Sequence, residues 1–157
     1  MRLEGRVAIV TGGARHIGAA YCRKLAEEGA AVVVADILDG EGVAEEIRSK
    51  GGRALALKVD VSKEDDTNRM AAEAVKAFGR IDILVNNAAI FINIQRHPFY
   101  EISAEEWDKV SAVNIKGPFL CAKAVFPQMK EQKGGKIINI SSSTAYWGTP
   151  NFLHYVA

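Results

Sequence analysis

The chain has 157 residues, 48% hydrophobic and 25% charged, enough for one globular domain with a substantial core and too apolar for disorder. Lys and Arg number 20 against 19 Asp and Glu, so nothing in the charge balance favours nucleic acid or an anionic membrane surface, and a small molecule is the expected partner. The N-terminus lacks an apolar signal core and no stretch approaches the roughly 20 apolar residues of a membrane span, so the expected location is cytoplasmic.

In chain order, short β-branched runs occur at Val7 to Val10, Ala31 to Ala35, Leu55 to Val59, Ile81 to Val85 and Lys136 to Ile140. Their unbroken apolar character predicts strands buried on both faces, and the amphipathic segments between them predict crossover helices. The first helix is expected over 17–28, with Ile17, Ala20, Tyr21 and Leu25 as its apolar stripe and Gly29 as its stop. Ser62 with Asp65, and Ser103 with Glu106, place a hydroxyl three residues before a carboxylate and predict two further helix starts. This βαβαβαβαβ alternation, with no linker or repeat, predicts a doubly wound parallel sheet in one three-layer αβα domain over 1–157. Cys22 and Cys121 show no zinc or redox spacing and read as buried thiols; His97 and His154 read as loop residues, and no metal site is expected.

The first strand runs into Thr11-Gly12-Gly13-Ala14-Arg15-His16-Ile17-Gly18 and then a helix. Glycine there lets the backbone approach a pyrophosphate, and the helix N-terminus offers unpaired N–H groups and partial positive charge. A tight turn needs glycine anyway, so the placement between strand and helix carries the nucleotide reading. Asp36 ends the second strand, where a carboxylate can accept from an adenosine ribose hydroxyl and repel a 2′-phosphate; capping the turn before Asp39-Gly40 is its alternative role. Arg15 is the competing signal, being able to pair with a 2′-phosphate, but Asp36 is expected to sit nearer that position, which favours NAD.

Further motifs follow in order. Thr11-Gly12-x-x-x-His16-Ile17-Gly18 resembles the glycine motif of the short-chain dehydrogenase/reductase family, Asp60-Val61 resembles its adenine-contacting pair, and Asn86-Asn87-Ala88-Ala89 resembles its Asn-Asn-Ala-Gly motif. Asn114, Ser142 and Tyr155 fall in the matching contexts, so the resemblance spans the whole chain. Two positions depart from it: His16 replaces the middle glycine, and Ala89 replaces the last glycine of the asparagine motif. A positive φ at position 16 would mildly strain histidine, which there is either a cation leaning toward the pyrophosphate or an exposed loop residue.

The resemblance implies an NAD-dependent oxidoreductase in a Rossmann fold. Gly12, Arg15, Ile17, Gly18, Asp36, Asp60, Val61, Asn87 and Tyr155 would hold the cofactor. Hydride would pass between it and a secondary alcohol or ketone, with Tyr155 as general acid/base, because an alcohol gives up hydride readily only if its O–H proton also leaves. Ser142, 13 residues before Tyr155, would hydrogen-bond the substrate oxygen, or else merely cap a turn. Asn114 resembles the asparagine whose main-chain carbonyl holds a relay water. Pro118, lacking an N–H, would leave that carbonyl unbonded in a regular helix; a kink at Gly117-Pro118 is the plainer reading.

Tyr146, Trp147 and Phe152 are expected either to wall a cyclic or aromatic substrate or to fill the core, with the 91–100 stretch across the cleft. A 3-oxoacyl thioester reductase shares the same framework. Family members are commonly homotetramers or dimers that pack the helix after Asn114 and the helix beginning at Tyr155, so the intact protein is expected to be a homo-oligomer. Tyr155-Val156-Ala157 falls inside the family's Tyr-x-x-x-Lys motif, so the sequence is expected to begin a longer enzyme with lysine at position 159, leaving the fifth strand as an exposed edge. A catalytically silent dinucleotide-binding module and an edge used for assembly are the other readings.

Overall fold

The computed structural model describes residues 1–92 and 94–157. Five strands, β1 (Val7–Thr11), β2 (Ala31–Asp36), β3 (Arg53–Lys58), β4 (Ile83–Asn86) and β5 (Lys136–Asn139), form one sheet in the order β3-β2-β1-β4-β5. Every pairing is parallel. The helices are α1 (His16–Glu27), α2 (Glu41–Ser49), α3 (Glu64–Phe78), α4 (Ala104–Ser111), α5 (Gly117–Glu131), α6 (Thr144–Trp147) and α7 (Leu153–Val156). This is the expected doubly wound α/β fold.

Successive residues of a strand face opposite ways, and the core divides accordingly. Ile9, Val33 and Leu84 pack with Met70 and Ala74 of α3 and Cys121 and Val125 of α5. Ala8, Val10, Val32 and Val34 pack with Ala19 and Cys22 of α1 and Val43, Ala44 and Ile47 of α2. Each fully buried valine or isoleucine contributes roughly 1.5–3 kcal/mol relative to exposure, so these central strands carry much of the folding energy. Burial pushes both thiols, Cys22 and Cys121, up to about 12, as befits inert packing groups.

Three local expectations need correction. Of the predicted α1 stripe, Tyr21 and Leu25 pack half-buried against the core, but the fully buried positions are Gly18, Ala19 and Cys22, while Ile17 is 61% exposed and Ala20 lies outside. β3 begins at Arg53, two residues before the predicted run; as an edge strand paired only with β2 it is set by register rather than by apolarity. Ser62 does not cap α3: its hydroxyl donates to Asp60 Oδ1 at 2.6 Å, and the helix starts at Glu64. Glu64, Asp65 and Asp66 in the first turn instead favour the positive helix end, and Gly79 at φ 80° closes the other end. The Ser103 cap is as expected, its hydroxyl accepting from the Glu106 N–H at 3.1 Å.

β5 is the outer strand beside β4, and Ile137, Ile138 and Ile140 are exposed along it. No helix among the described residues is long and apolar enough to cross a membrane.

One buried carboxylate ties the amino end of the sheet together. Asp82 accepts from Arg80, Arg6 and the Val7 N–H at 2.7–3.0 Å. Burial pushes the Asp82 carboxyl up, but the hydrogen bonds from Arg80, Arg6 and the Val7 N–H outweigh it and hold it below its ordinary range. A depressed folded value means that the stabilisation is present above the unfolded carboxylate range, near pH 4, and is lost as pH falls. Asp82→Asn is expected to destabilise the fold by about 2 kcal/mol at neutral pH, the scale for bonds to a charged group. In urea titrations the gap from wild type should close as pH drops below about 4; a gap independent of pH would contradict the assignment.

Candidate functional site

The strand order reverses at β1, which has β2 on one side and β4 on the other, and the chain leaves β1 directly into the glycine turn. In open α/β sheets, that crevice at the carboxyl ends of the strands is where ligands bind. Thr11, 2% exposed, is the pivot. Its hydroxyl accepts from the N–H groups of Asn87 and Ala88 at 3.0 and 3.1 Å and donates to the Val85 carbonyl at 3.3 Å. Asn87 Nδ2 in return donates to the carbonyls of Thr11 and Gly12 at 2.9 and 3.2 Å. Glycine motif and asparagine motif are thus one hydrogen-bonded unit.

That unit has no room for side chains at two of its glycines. A Cβ on Gly12, which has φ +65°, would lie 2.9 Å from Ala88 Cα, and one on Gly18 would overlap the Gly12 carbonyl oxygen. The α1 N-terminus therefore presents its backbone bare to the crevice. Arg15 occupies the N-cap in extended conformation, exposed, with no side-chain cap. His16 has φ 49°, the positive value its glycine-like position suggested, and is exposed. Ile17 follows on the first turn with its side chain exposed.

Asp36 is 7% exposed at the end of β2. Oδ2 accepts from the Ala14 N–H at 3.0 Å and Oδ1 from the Leu38 N–H at 2.9 Å, so it braces the glycine turn and caps the following bend. Each oxygen keeps a lone pair for a further donor. Asp60, half-buried after β3, accepts from the Ser62 N–H and hydroxyl, and its own N–H donates to Asp66 Oδ2 at 2.8 Å. Val61 is buried, and a Cβ on Gly117 would come within 2.9 Å of its side chain.

Asn114 sits in a π-helical turn, Ala112–Lys116, between α4 and α5. Pro118 opens α5 without an N–H, and the widened turn is the local answer to that missing donor. The Asn114 side chain is tied to Ile90: Oδ1 accepts from its N–H at 2.8 Å and Nδ2 donates to its carbonyl at 3.1 Å. This fixes the chain that leaves the asparagine motif toward Phe91.

Tyr155, half-buried in α7, stacks on Phe152 with centroids 4.9 Å apart and meets Phe91 at 5.0 Å. Ser142 Oγ lies 3.0 Å from Thr144 Oγ1 and 3.3 Å from the Thr144 N–H; among the described residues no hydrogen bond joins it to Tyr155 or Asn114. The expected aromatic wall is only partly correct. Phe152 is buried at 3%, Tyr146 and Trp147 are 88% and 73% exposed, and Phe91 supplies the packing opposite Tyr155. The rest of the 91–100 stretch is exposed or half-buried, and Asn93 lies outside the described residues.

The histidines also differ from expectation. His154, in α7 beside Tyr155, has a fully buried side chain, and it faces His97 and Glu106. Chain spacing gave no sign of this cluster, since its members lie on three separate segments and Glu106 read as a capping carboxylate. A cleft of about 560 Å³ lies elsewhere, near the amino ends of β2 and β3 between Arg23, Glu27, Glu46 and Lys50, and includes none of the motif residues.

A doubly wound sheet with a glycine cradle at its switch point defines a dinucleotide-binding class of α/β domain. The family model for short chain dehydrogenases matches residues 6–157, and the chain belongs to that family. It is 42% identical over 160 residues to the 2,5-dichloro-2,5-cyclohexadiene-1,4-diol dehydrogenase of Sphingobium indicum, covering 99% of this chain and 62% of that protein. A 3-oxoacyl-acyl-carrier-protein reductase of Staphylococcus epidermidis is 41% identical over 153 residues, 96% of this chain and 62% of the reductase. An uncharacterized oxidoreductase of Thermotoga maritima is 39% identical over 157 residues, 99% of this chain and 60% of its own. The chain thus spans about three-fifths of the length of these relatives.

The Thr11 hydroxyl offers a direct test of how the cradle is built. Thr11→Val keeps the shape but leaves the Asn87 and Ala88 N–H groups without their acceptor, at an expected cost of about 2–3 kcal/mol in chemical denaturation. Unchanged stability would mean that the clamp is incidental.

Proposed function

We propose that this chain holds NAD(H) and carries the hydride-transfer site of an oxidoreductase acting on a secondary alcohol or ketone, cyclic or aromatic in character. Asp36 is the observation that carries the cofactor reading. Its buried carboxylate braces the same turn that would receive the pyrophosphate, so negative charge stands on the side where an adenosine ribose would extend. Ribose hydroxyls can donate to it, whereas a 2′-phosphate would be repelled. Arg15, exposed at the head of α1, is then left to the pyrophosphate, with Gly12, Ile17 and Gly18 supplying the close backbone surface. Asp60 and Val61 would border the adenine and Asn87 the nicotinamide end of the cradle.

Bound there, the nicotinamide supplies the hydride acceptor, or the donor in the reverse direction. Tyr155 takes the alcohol proton as the carbon loses hydride, and returns it when a ketone is reduced. Ser142 Oγ accepts from the Thr144 hydroxyl and N–H, which leaves its own O–H to donate to the substrate oxygen. With its side chain tied to Ile90, Asn114 would serve a proton relay through its main-chain carbonyl. The aromatic packing of Phe91 and Phe152 on Tyr155 favours a flat apolar ring. The diol dehydrogenase relative, whose name specifies a cyclohexadiene diol, supports the same substrate class. Reduction of a 3-oxoacyl thioester is the second reading, supported by the reductase relative.

Buried free thiols at Cys22 and Cys121 suit a cytoplasmic setting. Phe119 and Phe126, exposed two turns apart on α5, support a homo-oligomer, a dimer or tetramer; a monomer mass by light scattering would overturn that part. For the chemistry, Tyr155→Phe in the full-length protein is expected to lower turnover of a cyclic or aryl alcohol by at least about 100-fold while NADH affinity stays close to wild type. Turnover undiminished in that variant would remove Tyr155 from the reaction.

A further inference from the structure

We infer that His97, Glu106 and His154 form a binding site for a divalent transition-metal ion of the zinc type, a staple that pins the tyrosine-bearing helix α7 to α4. One ligating atom from each residue lies within 4.8 Å of the other two. His97 Nε2 is 3.0 Å from Glu106 Oε2, and His154 Nε2 is 3.2 Å from Glu106 Oε1. The Glu106 carboxylate thus reaches both imidazoles, one through each oxygen, and a zinc-type ion with bonds of about 2.0–2.1 Å to nitrogen and oxygen would sit between the two rings against that carboxylate.

Burial points the same way. The His154 side chain is 0% exposed, and neither of its ring nitrogens has an aligned hydrogen-bond partner; His97 Nε2 is likewise buried without one. The contacts to Glu106 are within ion-pair range but make no aligned hydrogen bond, so these nitrogens are left without a partner that satisfies them. An imidazole with both nitrogens unsatisfied is costly to bury. A metal removes that cost at Nε2, and two imidazoles with one carboxylate are the donor set of a zinc-type ion rather than of the oxygen-seeking magnesium or calcium.

The surroundings are built for it. Ser103 fixes the first turn of α4 through the Glu106 N–H, so the Glu106 carboxylate is free of capping and turned to the histidines. The His97 N–H donates to the Asn151 carbonyl at 3.0 Å, which holds the loop beside the segment leading into α7. His97 and His154 rings meet edge to face at 5.8 Å, and Phe152 closes the inner side. Glu106 is 29% and the His97 side chain 24% exposed, so the cluster is reachable from solvent on that side. Metal there would fix His154 and, one residue on, the backbone of Tyr155. The site is independent of which dinucleotide the cradle holds.

The test is Zn²⁺ titration by calorimetry on the full chain stripped of metal with chelator, and Co²⁺ substitution followed by visible absorption. Expected is one saturable Zn²⁺ site of micromolar affinity or tighter, an intense Co²⁺ band of tetrahedral type, and a melting temperature raised by Zn²⁺ and not by Mg²⁺. His97→Ala, a loop substitution checked for folding by circular dichroism, and Glu106→Gln should each weaken Zn²⁺ by at least roughly 10- to 100-fold and abolish the cobalt band. His16 is the only other histidine, and His16→Ala should bind as wild type does. No saturable site in wild type, or equal affinity in the folded His97→Ala and Glu106→Gln variants, overturns the proposal.

Discussion

The side chain of Thr11 is the constraint on which the candidate site depends. Where β1 ends, its neighbours are strands that come from different parts of the chain, and the backbone must turn sharply without leaving polar groups unpaired. One hydroxyl accepts two N–H groups from the segment after β4, and the Asn87 amide answers by donating to two carbonyls of the glycine turn. The turn is thereby held from outside rather than by its own contacts. It can then leave the first N–H groups of α1 facing the crevice, where helix ends bind anions. Asp36 completes the arrangement from the other neighbouring strand by accepting from Ala14.

Glycine and carboxylate serve this geometry for different reasons. Gly12 and Gly18 are required because their Cα atoms approach other backbone, and any side chain would force the turn apart. Asp36 is required because the amides of Ala14 and Leu38 need an acceptor where no strand continues. At the opposite end of the sheet, Asp82 performs a purely structural version of this bracing between Arg6, Arg80 and the Val7 amide.

Much of this was legible in the sequence because it is local. Apolar runs marked where the strands lie, β3 least sharply, and the Gly-rich segment marked the sharp turn between β1 and α1, in which His16 takes a positive φ. What escaped was set by packing between distant segments. The fully buried positions of α1 are Gly18, Ala19 and Cys22, while Ile17 and Ala20 of the stripe read off its apolar residues lie outside. Phe91, remote in sequence, partners Tyr155, while Tyr146 and Trp147 stand in solvent. His97, Glu106 and His154 share no motif at all, and only the docking of α7 against α4 brings them together.

An NAD cradle at the braced turn, with Asp36 setting the cofactor, is the central proposal. Parallel titrations of NADH and NADPH, read by the change in nicotinamide fluorescence, test it without requiring a known substrate. Saturable NADH binding at least about 10-fold tighter than NADPH is expected, with that preference lost on Asp36→Asn. NADPH binding as tight as NADH, or no binding of either, would contradict it.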